Sequence, residues 1–174
     1  MWNIIATILV LAIIAIGLVE VYQQYGSASS QQSAQDLTQE VAEAIANVNN
    51  AYAADPNFAT FTSSTPYTIG AAPSDWQGTS GTFILPEGGT AVFAAASVDG
   101  GTDNGFSLTL KKLSPQECGA LAGFYTQQMS TVTVGSGTAT NPAFNGGTST
   151  WPTNLVSDCV VGAGNTVVYT VAGQ

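Results

Sequence analysis

The residues closest to a ligand site in type and spacing lie in a glycine-rich loop at residues 99–104. Two carboxylates, Asp99 and Asp103, and the amide of Asn104 fall within this short stretch. Carboxylate and amide oxygens are the ligands that Ca²⁺ prefers. The spacing is not that of an EF-hand loop, and a hairpin turn with solvated acids would use the same residues. We expect the hairpin turn, with a Ca²⁺ site as the alternative.

Two tryptophans offer a different chemistry. Trp76 and Trp151 lie in loops rich in glycine and proline. An indole ring in such a loop could stack on a sugar, or it could fasten the loop to the hydrophobic core. Both roles suit a large ring with one polar atom.

Most other chemistries lack their usual residues. The chain has 174 residues, no histidine, and 11 acidic residues against two lysines, Lys111 and Lys112. Histidine is the commonest general base, and two cysteines alone cannot close a zinc site. No nucleophile elbow or phosphate-binding glycine motif is present. A net charge of −9 repels a phosphate backbone. We therefore expect no enzyme, cofactor, metal or nucleic-acid partner.

The two cysteines favour a structural bond. Cys118 and Cys159 belong to a small domain that follows an apolar segment, which indicates an exported domain. We predict a disulfide worth roughly 3 to 4 kcal/mol in the loop-entropy account. Two buried free thiols are the alternative.

The apolar segment that precedes this domain is long enough for a membrane. Residues 4–19 read IIATILVLAIIAIGLV, with no charged residue. With Met1 and Trp2 the run approaches the roughly 20 residues that span a bilayer as helix. No basic residue precedes it and no obvious cleavage site follows, so we do not expect an intact signal peptide. The missing charge suggests a basic leader already removed. Glu20 borders the run, where a carboxylate needs water or a cation.

The helical pattern continues beyond the apolar run but becomes one-sided. Apolar residues recur at spacings of three and four, at Ala34, Leu37, Val41, Ala44, Ile45, Val48, Ala51 and Tyr52. We predict one helix from near Met1 to about Ala54, ended by Asp55-Pro56. Residues 1–26 would meet lipid or other copies of the chain, and residues 27–54 would lie on a globular domain. A simple membrane anchor with a linker helix is the alternative.

Residues 55–174 are expected to form that globular domain. Short β-branched runs between glycine-rich turns predict five antiparallel strands, at residues 82–85, 90–98, 106–110, 131–134 and 166–171. Residues 53–80 and 135–150 read as long loops, which in compact domains are often functional or contact partners.

A single helix is predicted among these strands. Ser114, Pro115 and Glu117 form a capping box with proline at the first helical position. The apolar spacing continues to Tyr125 and turns Cys118 toward the core.

The whole architecture resembles a type IV pilin. The resemblance rests on the segment MWNIIATILVLAIIAIGLVEVYQQYGSASSQQ and on the order helix, loop, sheet, Cys118, Cys159, strand. The cysteine-bearing helix beside the sheet is most similar to the type IVb branch, which includes the thin-pilus pilins of conjugative plasmids. The resemblance implies an α+β fold, with the long N-terminal helix packed on an antiparallel sheet.

The resemblance also implies assembly. A peptidase would cut the leader and Met1 would then be N-methylated. The helices would bundle in the filament core through Ile4, Ile5, Ile8, Leu9, Leu11, Ile13, Ile14, Ile16, Leu18 and Glu20. Most type IV pilins carry glutamate at the fifth mature position, where this chain has Ile5. Glu20, or a polar atom of Asn3 or Thr7, from another subunit would then help to satisfy the Met1 amine.

The function expected from these features is structural. The protein would be a pilus subunit that waits in the inner membrane among lipid, is handled by the pilus assembly machinery, and polymerises into a homo-oligomeric filament on the cell surface. A pseudopilin of a secretion system is one alternative, which calcium-dependent melting would favour. A monomeric membrane-anchored adhesin is another, which glycan binding through Trp76 or Trp151 would favour.

Overall fold

The computed structural model describes residues 29–55, 57–78, 81–144, 155–162 and 164–173. Its first element is helix α1, whose described part covers residues 29–52. The predicted boundary at residue 26 and the predicted apolar helix therefore lie outside the described residues. Among the helices that the structure describes, none is long and apolar enough to cross a membrane.

The buried face of α1 follows the predicted spacing for most of its length. Six predicted positions have their side chains in the core: Ala34, Leu37, Val41, Ala44, Ile45 and Val48. The prediction is wrong at Ala51, which is exposed, whereas Tyr52 is half-buried and packs against the core. Asn49 is buried as well, and its Nδ2 donates to Gln128 Oε1 at 2.7 Å.

The chain then passes through a segment that carries a short helix, α2 (Thr65–Thr68), where a loop was predicted. Its side chains pack over the sheet. The Phe61 ring lies 6.5 Å from that of Phe93 and 5.8 Å from that of Phe106. The segment is therefore a packed covering layer.

Six strands form one antiparallel sheet, in the spatial order β1-β2-β3-β6-β4-β5. Their bounds are β1 (Phe83–Ile84), β2 (Thr90–Ala96), β3 (Gly105–Leu113), β4 (Met129–Val134), β5 (Gly137–Thr140) and β6 (Asn165–Ala172). Strand β5 was missed, since its Gly-Thr-Ala-Thr sequence resembles the predicted loop around it. It pairs with β4 through a tight hairpin. The fold class predicted from sequence, α+β with a helix on an antiparallel sheet, is confirmed.

Strand β3 runs three residues beyond its predicted end because of a bulge. The pairing with β6 shifts register between Lys111 and Leu113, and Lys112 has a φ of 61°. Strict alternation would turn Lys112 into the core. The bulge keeps both lysines exposed and returns Leu113 to the interior.

Helix α3 (Pro115–Ala122) follows at once and begins as predicted. The Ser114 side chain accepts a hydrogen bond from the Glu117 amide at 3.3 Å, and Glu117 Oε2 accepts one from the Ser114 amide at 2.6 Å. The predicted extension to Tyr125 is wrong, because the helix ends at the cap residue Gly123. A 3₁₀ helix (Leu155–Asp158) precedes β6.

One hydrophobic core joins these layers. Side chains of α1, α3 and every strand belong to the same buried cluster. Tyr169 of β6 is completely buried, and its hydroxyl donates to the Leu121 carbonyl at 2.7 Å. Burial, and then the neighbouring Tyr125, raises the pKa of Tyr169. The uncharged phenol therefore links α3 to the sheet by a hydrogen bond.

Candidate functional site

The predicted disulfide is present and fastens the C-terminal loop to the core. Cys118 and Cys159 are bonded, with their Cα atoms 5.9 Å apart. Cys118 is buried on α3, as its helical position predicts, and Cys159 follows the 3₁₀ helix. The bond joins residues 41 positions apart. No free cysteine occurs in the described chain.

Asn165 secures the same loop from the other side. This side chain is buried, and its Oδ1 accepts from the Val160 amide at 2.7 Å. Its Nδ2 lies 3.0 Å from the Val160 carbonyl, 3.2 Å from the Gly162 carbonyl and 3.2 Å from the Leu113 carbonyl. Sequence reasoning placed a strand near here but missed this role, since only the folded loop brings these carbonyls together.

Trp76 is a structural anchor and not an exposed stacking platform. It is only 5% exposed, and its ring packs near Phe83 and Phe93 at 6.1 and 6.3 Å between centroids. Its Nε1 donates to Glu40 Oε2 of α1 at 2.7 Å. The sequence left two roles open for Trp76, stacking on a sugar or attaching its loop to the core, and the structure shows the second. Trp151 lies outside the described residues.

Glu40 belongs to an acidic cavity that the sequence did not suggest. A cavity of about 200 Å³ lies between α1, the loop before β1 and the β1–β2 turn. Its walls carry the carboxylates Asp36, Glu40, Asp75, Glu87 and Glu117. Burial raises the pKa of Glu40, with smaller contributions from nearby acids, while the Trp76 hydrogen bond opposes this shift. The acids come from distant parts of the chain, so no spacing rule could have grouped them.

The loop at residues 99–104 folds as a hairpin connection. Asn104 Oδ1 accepts from the Val98 amide at 2.7 Å, and Asn104 Nδ2 donates to the Val98 carbonyl at 2.9 Å. The Ser97 hydroxyl accepts from the Asp103 amide at 3.2 Å. The Asn104 amide is thus engaged in holding its own loop. In the part of the chain that the structure describes, no group of three or more His, Cys, Asp or Glu could hold a metal ion.

The predicted assembly residues cannot be placed. Met1 and the positions from Ile4 to Glu20 all lie outside the described residues. What the structure does describe is the helix that follows them, with one face sealed on the sheet and the opposite face, including Gln35 and Glu43, exposed.

A comparison with protein families decides what this arrangement is. A family model described as PilS N terminal matches residues 31–172, nearly all of the described chain. The chain belongs to this family. The prediction of a type IV pilin of the type IVb branch is thereby confirmed, together with the structural likeness that follows.

That likeness is to the crystal structure of a type IVb pilin from Salmonella typhi. The two chains are 18% identical, with a TM-score of 0.56, and the match covers 84% of this chain and 99% of the other. At this identity the likeness is one of fold. No curated protein matches the sequence at a significant level. A PilS-family member with a pilin fold is a pilus component, and both the family and the fold are structural and not enzymatic.

Proposed function

We propose that this protein is a structural subunit of a type IV pilus and that it polymerises through its N-terminal helix. The observation that carries the proposal is a contrast between two parts of the first 54 residues. The described part of α1 seals its apolar face on its own head domain. The run at residues 4–19 is apolar on every side and would need a different partner.

Lipid and other copies of the chain are the partners that suit such a run. In the membrane the apolar side chains meet acyl chains, and in the filament they meet the same segment of neighbouring subunits. Because both surroundings are apolar, the transfer gains little from the hydrophobic effect and must be driven by close packing. We propose that Ile4, Ile8, Leu11 and their apolar neighbours form this packed core.

This transfer of the apolar run from lipid to neighbouring subunits implies an order of events. The monomer would reside in the inner membrane after its leader is removed and Met1 is N-methylated. The assembly machinery would then move it into an extracellular filament, with the acidic, Ser/Thr-rich head facing outward. The chain's net charge of −9 would keep such a surface hydrated.

A charge placed in the apolar run tests this function. Leu11→Lys should abolish filaments, because an ammonium group in a packed apolar bundle has no water to solvate it. Gln35→Lys is the matched control, since Gln35 is exposed on the described part of α1. Electron microscopy of material sheared from cells that produce the full chain gives the readout. Equal filament yields from both variants would overturn the proposal.

Glu20 provides a finer test of how the N-terminal amine is accommodated. If the Glu20 carboxylate of one subunit helps to satisfy the Met1 amine of another, Glu20→Gln should impair assembly and leave the head folded. Glu43→Gln, which neutralises an exposed acid on α1, should assemble normally. Normal filaments from Glu20→Gln would exclude this role and leave Asn3 and Thr7 as the remaining candidates.

A further inference from the structure

The face of the sheet opposite the core carries small side chains in straight rows. Burial alternates along the strands, as in β6, so every second side chain points away from the core. The pairing register aligns four of these outward positions across β5, β4, β6 and β3, in the order Thr140, Thr131, Thr170 and Ser107. We call these four residues the first row.

A second row lies two residues further along each of the same strands. It consists of Thr138, Thr133, Val168 and Thr109. The hydroxyl oxygens of Thr133 and Thr138 are 3.1 Å apart, so paired side chains in this row stand side by side. The two rows therefore hold six threonines at eight positions, with the pattern Thr-x-Thr on the neighbouring strands β4 and β5.

The geometry of a sheet sets the spacing of the rows. Neighbouring strands lie about 4.8 Å apart, and alternate residues along one strand lie about 6.6 Å apart. These two repeats are close to those of the water oxygens on a prism plane of ice. Side chains in the two rows can therefore meet such a lattice in two directions at once.

The rows belong to a sheet that contains no acidic residue. The chain has 11 Asp and Glu residues, and none of them falls within the six strands. The charged residues in the strands are Lys111 and Lys112, which follow Thr109 near the end of β3. A charged group holds its own hydration shell and would have to lose it against a solid surface. The uncharged rows avoid this cost.

Threonine also suits the surface of ice by its chemistry. Its hydroxyl group donates and accepts hydrogen bonds, and its methyl group restricts the orientation of the water beside it. Because the side chain is β-branched, its first torsion angle has few alternatives in a strand. Little side-chain entropy would therefore be lost when the rows meet a partner.

Two other partners fit the rows less well. Aromatic rings that stack on sugars are absent from both rows, which hold only Thr, Ser and Val. A second copy of the chain would bring two net charges of −9 close together. An uncharged, regular surface of water meets neither objection.

We propose that the two rows form a binding surface for ice. Hydroxyl groups of the rows would bond to lattice waters, while the threonine methyl groups lie between them. This activity goes beyond the proposed pilus function and does not depend on it. A filament would repeat the rows along its length, so that many weak contacts act together.

Ice-affinity partitioning of the full chain in detergent tests this surface. Ice is grown slowly from the solution, and the protein content of the ice is compared with that of the remaining liquid. We expect the unmodified chain to be enriched in the ice. Thr133→Lys should lower the enrichment by about threefold or more, because the ammonium group keeps its hydration shell. Thr102→Lys is the matched control, since it adds the same charge at an exposed threonine of the β2–β3 loop.

A second row variant covers the case in which Thr133→Lys does not fold. Thr138→Lys changes an exposed side chain on the edge strand β5, and it should lower the enrichment in the same way. Thermal melting followed by circular dichroism verifies that each variant is folded.

The outcomes separate ice from the other partners. Absence of enrichment for the unmodified chain, or equal enrichment of the folded row variants and Thr102→Lys, would overturn the proposal. Row variants that lower the particle mass in light scattering and leave the enrichment unchanged would assign the rows to a contact between two copies, and this too would overturn it. Filament formation is measured separately by electron microscopy, so failure here leaves the pilus function standing.

Discussion

Trp76 and Glu40 are joined by a 2.7 Å hydrogen bond that links the loop before β1 to helix α1. The two residues are 36 positions apart in the chain. An indole N–H can only donate, so a buried tryptophan needs an acceptor nearby. Glu40 provides it, and in doing so fixes the covering segment to the helix that carries the head.

Removal of the acceptor should weaken the head. Glu40→Leu leaves the buried Trp76 N–H without a partner, and we expect the free energy of unfolding to fall by about 1–3 kcal/mol. Glu40→Gln keeps an acceptor oxygen and should avoid most of this loss. Denaturant unfolding of the full chain in detergent, followed by tryptophan fluorescence, measures both. The account is contradicted if Leu and Gln have the same effect.

The same carboxylate should make stability depend on pH. Burial raises the pKa of Glu40 in the folded chain, so the folded state binds a proton more readily than the unfolded state. This contribution to stability is present below the unfolded pKa and is lost as pH rises through the folded pKa. Glu40→Gln has no such dependence. We therefore expect the melting temperature of the unmodified chain to rise relative to that of Glu40→Gln as the pH falls from neutral toward about 5. The reasoning is refuted if the difference between the two melting temperatures stays constant over this pH range, or if the unmodified chain melts lower relative to Glu40→Gln as the pH falls.

The disulfide should contribute a large share of the stability of the head. Its two ends are 41 positions apart, and opening a loop of this length costs about 3–4 kcal/mol in the entropic account. Cys118→Ala/Cys159→Ala should show a correspondingly lower denaturation midpoint. Reduction of the unmodified chain is the matched comparison, because it opens the bond without a cavity at position 118. A midpoint unchanged by reduction would mean that the bond does not constrain the unfolded chain.

The bulge in β3 predicts opposite effects at neighbouring lysines. Lys112 has a φ of 61°, a conformation that glycine adopts at little cost, so Lys112→Gly should stabilise the head by about 0.5–1 kcal/mol. Lys111 pairs regularly with Thr90 and Thr166, and Lys111→Gly should destabilise it by about 1 kcal/mol. Both variants remove one positive charge, so each controls for the other. Thermal melting that shifts in the same direction for both would contradict the assigned bulge.

Features with a local cause could be predicted from the sequence. The apolar face of α1 from Ala34 to Val48 and the capping box at Ser114 each depend on residues within a few positions of one another. The strands were found wherever β-branched residues recur, as in β6.

Features fixed by tertiary contacts could not be predicted. The bulge at Lys112 arises because two lysines in succession cannot both alternate outward, and its position depends on the pairing with β6. Strand β5 has weak intrinsic preference and exists through its pairing with β4. The Glu40–Trp76 bond and the acidic cavity unite residues from distant segments, for which no sequence spacing gives a signal.

A helical reconstruction by electron microscopy of filaments sheared from cells that produce the full chain tests the central claim most directly. We expect residues 1–28 of neighbouring subunits to pack as helices along the filament axis, with the sheet of every head facing outward. Filaments in which these residues lie apart from one another, or filaments built from another protein while this chain stays in the membrane, would contradict the account.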